Sequence, residues 1–291
     1  MKQLIVNADD FGLTPGVNRA IIELATAGCL TSATLMAAAP ATDEAIQLAR
    51  QTPALSVGCH VVLVDGVSCL DRATQQLFPW IHSETEAGQL PATPGQLLRA
   101  LFSHGVRQSK RENFLEAEAF AQITRLQQAG LTLTHIDTHK HLHQFPAILR
   151  PVLRAARRAG IHRIRNPFEP HWSQRATQHV PLARLAQFRA LQLFRGRFHR
   201  IVAQEGFTTS DGAVGVLTTG SLDRASLEDL LAAMPDGRWE LVTHPGYQDA
   251  TLAQIRTRLR ASREREIDAL HLIGEAHGIE RISFGSPAFT P

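Results

Sequence analysis

Two adjacent carboxylates, Asp9 and Asp10, follow the apolar residues 4–6 and precede Phe11. An apolar run of this kind is typical of a buried strand. Burying two carboxylates side by side is costly unless a cation or a proton is shared between them. The pair therefore predicts a metal site or an acid–base site at the end of this strand, with an N-cap for a helix starting at Pro15 as the alternative.

Polar side chains also occur at the ends of three other apolar runs. They lie in the segments Gly58-Cys59-His60, Asp137-Thr138-His139-Lys140-His141-Leu142-His143 and Thr243-His244-Pro245-Gly246. In a parallel barrel the carboxyl ends of all strands open on one face, so these groups are expected to converge there.

An aspartate with two histidines suits Zn, Mn, Fe or Co, and Mg with added waters. Three protein ligands leave a coordination position for water, whose pKa a bound metal lowers toward about 7. One carboxylate of the Asp9/Asp10 pair would then be a ligand and the other a general base.

Each histidine taken alone also has a structural interpretation. His60 fits a core histidine, and His244 before Pro-Gly fits a turn. If the histidine run is extended, His139, His141 and His143 share a face at most, so some of them are outer-shell or solvated. Four such clusters at strand ends are much harder to explain as coincidence than any one of them.

The elements that must position these groups alternate along the chain. Apolar runs typical of strands occupy residues 3–8, 33–37, 55–63, 131–136, 161–164, 214–217 and 239–242. Helical patterns occupy residues 15–26, 42–50, 112–129, 146–159, 225–233 and 252–277. This alternation predicts an α/β fold, an irregular (β/α) barrel of parallel strands. Gly28, Gly130 and Gly160 follow helical patterns, as C′ glycines do.

Two segments depart from this regularity. Residues 64–111 contain Pro79, Pro91 and Pro94 and predict a long loop or lid within a single domain spanning residues 1–291. Residues 182–202 combine an apolar helical face with several arginines. A core-facing helix with snorkelling arginines is the main interpretation, and a membrane-surface helix is the other.

Composition excludes several classes of protein. The net charge of +3 is too small to indicate a nucleic-acid partner. The three cysteines have no CxxC spacing, which argues against a disulfide framework or a thiolate zinc site. Neither a membrane-spanning apolar run nor a signal-peptide pattern is present, so we expect a cytoplasmic protein, with the inner membrane face as an additional location.

The motifs together resemble a known family. They are residues 6–12, residues 30–34, Gly58-Cys59-His60, Ile136-Asp137-Thr138-His139 with His141, His143 and Pro146, and residues 243–246. In this order they resemble the YdjC-like carbohydrate deacetylases, which include chitooligosaccharide deacetylases and the hopanoid-biosynthesis-associated HpnK group. Residues 15–19 and 31–36 are most similar to the HpnK group.

The resemblance implies a barrel-like fold, one divalent metal ion and removal of acetyl from an N-acetylated amino sugar, either an oligosaccharide or a glycolipid. By motif position it implies Asp10, His60 and His139 as ligands, Asp9 as base and His244 as the acid that protonates the leaving amine. Magnesium is the metal of the family, with Zn, Mn or Co as alternatives. A homodimer is expected by analogy alone.

We further expect substrate contacts from Arg165, which follows the strand at 161–164 and would orient a sugar hydroxyl or a phosphate. His141, His143 and Asp137 complete this expected set.

The sequence departs from the family pattern at two positions. Cys59 stands where Leu or Met is usual, which indicates a packing change, and Lys140 places a cation within the histidine run. If the substrate is lipid-linked, residues 182–202 could dock the enzyme at a bilayer. A phosphoesterase or other amidohydrolase on the same site, and a sugar- or metal-binding protein without activity, are the competing interpretations.

Overall fold

The computed structural model describes residues 1–82, 88–103, 105–177, 180 and 182–289. The strands within these ranges are β1 Lys2–Phe11, β2 Ser32–Leu35, β3 Ser56–Val61, β4 Ile136–Thr138, β5 Gly212–Val214, β6 Gly237–Thr243 and β7 Glu280–Ile282. The helices are α1 Pro15–Thr26, α2 Thr42–Gln51, α3 Arg72–Gln75, α4 Pro79–His82, α5 Pro94–Leu101, α6 Gln108–Gln128, α7 Pro146–Arg158, α8 His171–Ala176, α9 Leu182–Gln192, α10 Arg195–Gln204, α11 Arg224–Ala233, α12 Ala250–Gln254, α13 Arg263–Leu270 and α14 Leu272–Glu275.

The strands form one parallel sheet in the order β4-β3-β2-β1-β6-β5, with β7 paired to the first half of β1. Short backbone contacts continue the sheet between its two ends. Ile164 pairs with Ile136 of β4, and Arg163 pairs with Thr208, just before β5. The sheet therefore curls into the predicted irregular (β/α) barrel, with helices packed outside it.

Several predicted elements differ from the observed ones. The strand expected at 131–136 begins only at its last residue, and 161–164 contributes single bridges rather than a strand. The helix expected over 252–277 is instead three helices, α12, α13 and α14. Between α12 and α13, Arg260 donates to the carbonyls of Leu252, Ala253 and Ile255. Strand β7 was not predicted.

The segment at 182–202 forms α9 and the first part of α10. Phe198 and Ile201 are buried in the core, Phe188 lines the cavity described below, and Leu193 between the two helices is 83% exposed. This arrangement supports the core-facing interpretation of α10. Within the described ranges, none of the helices combines the length and apolarity required to cross a bilayer.

Alternation along the strands determines which side chains fill the barrel. The register pairs Asn7 with Ser32, Ser32 with Ser56, and Ile5 with Glu240, so these positions share the inner face. Two residues further along lie Asp9, Thr34 and Gly58, and then His60 opposite Asp137. The upper interior of the barrel is therefore polar and charged, because polar residues occupy every second position at the strand ends.

Gly58 leaves the space that a neighbouring ring occupies. A Cβ at residue 58 would lie 2.5 Å from Cε1 of His135, whose ring stacks on Phe284 at a centroid distance of 3.9 Å. Gly58→Ala should lower the free energy of unfolding by about 1–3 kcal/mol, the usual cost of overpacking. Urea titration followed by circular dichroism measures this.

Gly196→Ala is the matched control, because a Cβ at residue 196 in α10 meets nothing within 4 Å. This variant should be as stable as the unsubstituted protein or slightly more stable. Equal unfolding free energies for the two variants would contradict the packing explanation.

Candidate active site

Three potential ligand atoms meet at the carboxyl ends of β1, β3 and β4. Oδ1 of Asp10 lies 3.7 Å from Nε2 of His60 and 3.6 Å from Nδ1 of His139, and the two nitrogens are 3.2 Å apart. Ligands at about 2.0–2.2 Å from one tetrahedral ion are roughly 3.4 Å from one another. Oδ1 of Asp10 is buried and has no hydrogen-bond partner among the described residues. The arrangement thus fits a single divalent ion.

The backbone turns Asp10 away from the barrel interior that receives Asp9. Asp10 has a φ of 64°, in the left-handed region that aspartate tolerates better than most residues. Its carbonyl accepts a hydrogen bond from the Leu13 amide, and Thr14 caps α1 by accepting from Val17. The N-cap alternative for the two aspartates is therefore wrong.

His60 is oriented by a carboxylate behind it. Its Nδ1 lies 2.7 Å from Oδ1 of Asp137, which directs Nε2 toward Asp10. Burial opposes a charge on His60, but the charge and hydrogen bond of Asp137, together with the charges of Asp9 and Asp10, raise the pKa of His60 to about 9. A carboxylate behind a ligating imidazole is the usual arrangement in metal sites, because it fixes the ring and raises its basicity.

Asp9 is held inside the barrel by Arg165. The guanidinium donates to both oxygens of Asp9, with Nη1 2.8 Å from Oδ2 and Nη2 2.6 Å from Oδ1. Asn7 and Thr34 also donate to Oδ1. Burial alone would raise the pKa of Asp9, but the charge and hydrogen bonds of Arg165 hold it well below the usual value. Asp9 is therefore a carboxylate at neutral pH.

Arg165 does not lie where a substrate-binding residue would. Its side chain is fully buried, and besides Asp9 it contacts Asp137 and donates from Nε to Glu240 at 2.7 Å. It is absent from the cavity wall, as is Asp137. Both residues support the site from beneath, in contrast to the expected contact with substrate.

The histidine run is not extended. Residues 139–144 form a 3-10 turn in which Lys140 and His141 have φ values of 57° and 53°. His139 turns toward Asp10, His141 lines the cavity, and His143 is buried against the Thr138 hydroxyl at 2.7 Å. Of the four expected substrate contacts, Arg165, Asp137, His141 and His143, only His141 lines the cavity.

His244 lies beside Asp9 at the end of β6. Its Nε2 is 3.7 Å from Oδ2 of Asp9, and its ring lines the cavity. Both backbone groups of His244 are held by α13: Oε2 of Glu266 accepts its amide at 2.6 Å, and Nη1 of Arg263 donates to its carbonyl at 3.3 Å.

Arg263 and Glu266 were not identified from the sequence. Arg263 is fully buried and its Nη2 lies 2.6 Å from Oδ2 of Asp10, the oxygen that does not face the histidines. The available signal was a cluster of charges at the start of a helix, Ser262-Arg263-Glu264-Arg265-Glu266. Such a cluster is usually a solvated face, so it gave no reason to place two of its members inside.

A cavity of about 780 Å³ opens above these groups. Asp9, Asp10, His60, His139 and His244 lie in its wall. Apolar side chains form another part, namely Leu13, Met36, Phe168, Phe188, Leu191, Val216, Leu217, Ile255 and Leu259. Lys140, which donates to Asp65 at 2.8 Å, also lines the cavity, with Arg256 and Arg258. The cavity therefore offers an acidic, metal-ligating part beside apolar and cationic walls.

Comparisons with known proteins identify relatives of this chain. Carbohydrate deacetylases from Geobacillus stearothermophilus and Brevibacillus brevis are each 39% identical, over 157 and 154 residues, covering 54% and 53% of this chain and 57% and 55% of theirs. The matched part thus spans little more than half the length of these relatives.

One solved structure is similar over almost the whole chain. It is described as a cellobiose-phosphate cleavage protein from Enterococcus faecalis V583 and has a TM-score of 0.69 at 25% identity, covering 97% of both chains. The YdjC-like protein family model matches residues 3–272 of this sequence. The chain therefore belongs to the YdjC-like protein family.

Proposed function

We propose that this protein is a metal-dependent hydrolase that removes acetyl from an N-acetylated amino sugar. The observation that carries the proposal is the metal-ligating group of Asp10, His60 and His139, with Asp9 and His244 beside it on the cavity wall. The naming of two relatives as carbohydrate deacetylases supports the same activity.

The ion would be held by Oδ1 of Asp10, Nε2 of His60 and Nδ1 of His139. A bound divalent ion supplies Lewis acidity toward an amide carbonyl and toward water. Magnesium is our proposal from the family resemblance, with Zn, Mn and Co as alternatives that this donor set also suits.

Asp9 would accept a proton from the attacking water, and His244 would donate a proton to the leaving amine. Asp9 lines the cavity beside His244, and Arg165 keeps it ionised, so it can take a proton from an attacking water. An amine cannot leave an amide as an anion, so an acid must protonate its nitrogen. Nε2 of His244 lines the cavity close to Asp9 and is our candidate for that acid.

The volume and the lining of the cavity support a substrate larger than one sugar. The apolar wall formed by Phe168, Phe188 and Leu191 suits an apolar aglycone, as in a glycolipid or a hopanoid-linked sugar, and His141 in the cavity wall is our candidate for a contact with the sugar. Asp65 and residues 92–94 line the wall, and we propose that the described parts of the segment 64–111 cover the substrate within a single domain.

Contact with a membrane and pairing of two copies are further proposals. Leu193 is exposed at the turn between α9 and α10, beside the exposed Arg189 and Arg197. This surface would bring the enzyme to the inner membrane face when its substrate is lipid-linked. Phe198 cannot take part in such contact, because it is fully buried.

Asp9→Asn should lower kcat for acetate release by roughly 100- to 10,000-fold, the usual worth of a positioned base. The assay measures acetate from N-acetylglucosamine substrates, ranging from the disaccharide to lipid-linked forms, with metal-stripped protein given Mg, Zn, Mn or Co.

Asp43→Asn, on the exposed face of α2, is the matched control and should retain full activity. Release of phosphate from phosphoesters without acetate from any sugar would replace the deacetylase proposal with a phosphoesterase. Equal activity of the two variants would remove Asp9 from the mechanism.

His139→Ala should weaken metal binding by more than about 100-fold, because a lost ligand costs more than the roughly 10- to 100-fold typical of outer-shell changes. His141→Ala, two residues along the same turn, should bind metal as the unsubstituted protein does, because its ring lines the cavity outside the ligand group. Isothermal titration with the divalent ions tests both. Equal losses in the two variants would contradict the ligand assignment.

A further inference from the structure

We infer that Arg263 and Glu266 of α13 are positioning residues: Arg263 holds Asp10 with Oδ1 facing the two histidines, and Glu266 fixes the backbone that carries His244. The inference rests on the proposed function for its catalytic part, while its metal-binding part can be tested without substrate.

Arg263 occupies one oxygen of Asp10 and leaves the other free. Its Nη2 lies 2.6 Å from Oδ2, whereas Oδ1, which faces both histidines, has no hydrogen-bond partner among the described residues. The guanidinium places a positive charge beside Oδ2, which disfavours a second cation at that oxygen and leaves Oδ1 as the favoured ligand atom. Arg263 therefore fixes the orientation of the Asp10 carboxylate and favours coordination through Oδ1.

The same guanidinium also reaches the turn that carries the candidate acid. Nη1 of Arg263 donates to the carbonyl of His244, and Oε2 of Glu266 accepts the His244 amide. Arg263 and Glu266 are three residues apart and so share one face of the helix. Through this pair, α13 fixes the position of the Asp10 carboxylate relative to the backbone of His244.

The neighbouring sequence leaves space for this arrangement. A Cβ at Gly246 would lie 3.0 Å from Cδ of Arg263 and 2.8 Å from Cγ2 of Val17. The glycine of the His244-Pro245-Gly246 motif thus lets the arginine pass beneath the turn. Since the two donors point to different acceptors, the planar fork of arginine is needed, and the point charge of lysine cannot replace it.

The metal-binding part is tested with Co²⁺ alone, added to the metal-stripped full chain and followed by visible absorption. Arg263→Met should weaken Co²⁺ binding by about 10- to 100-fold and change the shape of the absorption bands, because Asp10 loses its fixed orientation. Arg263→Lys retains the positive charge without the planar fork, so its Co²⁺ affinity should lie between those of Arg263→Met and the unsubstituted protein.

The catalytic part is tested by kinetics. Glu266→Ala should lower kcat for acetate release by about 10-fold or more, with KM and Co²⁺ affinity nearly unchanged, because His244 is not among the proposed ligands. Glu266→Gln retains an acceptor oxygen for the His244 amide and should recover most of kcat. A purely structural role for Glu266 would instead lower stability and metal affinity together.

Arg154→Met is the matched control, because Arg154 pairs with Glu112 and Glu116 between α6 and α7, away from the site. It should leave Co²⁺ binding and kcat unchanged. If Arg263→Met does not fold, the Co²⁺ affinity of Arg263→Lys tests the metal-binding part of the inference.

Three results would overturn the inference. The first is a Co²⁺ affinity in both Arg263 variants equal to that of the unsubstituted protein. The second is full kcat in Glu266→Ala, and the third is absence of Co²⁺ binding by the unsubstituted protein. Failure of the proposed function looks different: Co²⁺ binding would still depend on Arg263, while no acetylated sugar would release acetate.

Discussion

The buried guanidinium of Arg165 is the interaction on which the rest of this site depends. It contacts Asp9, Asp137 and Glu240, three carboxylates that the alternation of the strands places inside the barrel. Removing one partner from a buried ionic group typically costs about 3–5 kcal/mol, because the remaining charge stays buried and unpaired. Burial, together with Asp9 and Asp137 close by, raises the pKa of Glu240 to about 7 even beside Arg165. The barrel thus tolerates this concentration of negative charge only around its central cation.

The charge of Arg165 has two effects on the groups at the cavity. Asp137 is held where it orients His60, and Asp9 is held as a carboxylate beside His244. Asp10, adjacent to Asp9 in sequence, is turned by its left-handed backbone toward the histidines and pairs with Arg263 instead. Each aspartate of the pair therefore has its own arginine. Separate arginines allow the two adjacent carboxylates to have different environments. The proposed roles, Asp10 as a metal ligand and Asp9 as a base, require such a difference.

The sequence predicted the barrel and the convergence of Asp9, Asp10, His60, His139 and His244, because strand ends meet on one face whatever the details of the helices. It could not predict the partners of these residues. Arg165 ends a segment whose side-chain direction depends on two backbone bridges, and Arg263 begins α13 after an interruption of the expected helix. The turn at 139–144 escaped prediction for a similar reason, since its left-handed residues are Lys140 and His141 rather than glycines.

The charged groups of the barrel interior and the side chains of the upper cavity wall come from different parts of the fold, so the two sets can change independently in evolution. The charged groups of the barrel interior constrain one another, so replacing one of them disturbs several. The upper wall contributes Phe188 and Leu191 from α9, Leu217 after β5 and Ile255 between α12 and α13. These side chains come from helices and connecting segments outside the ionic cluster, where substitutions are better tolerated. Changes there can alter which ligand fits while Asp9, Asp10, His60, His139 and His244 keep their positions, because these residues lie on the barrel strands or directly after them.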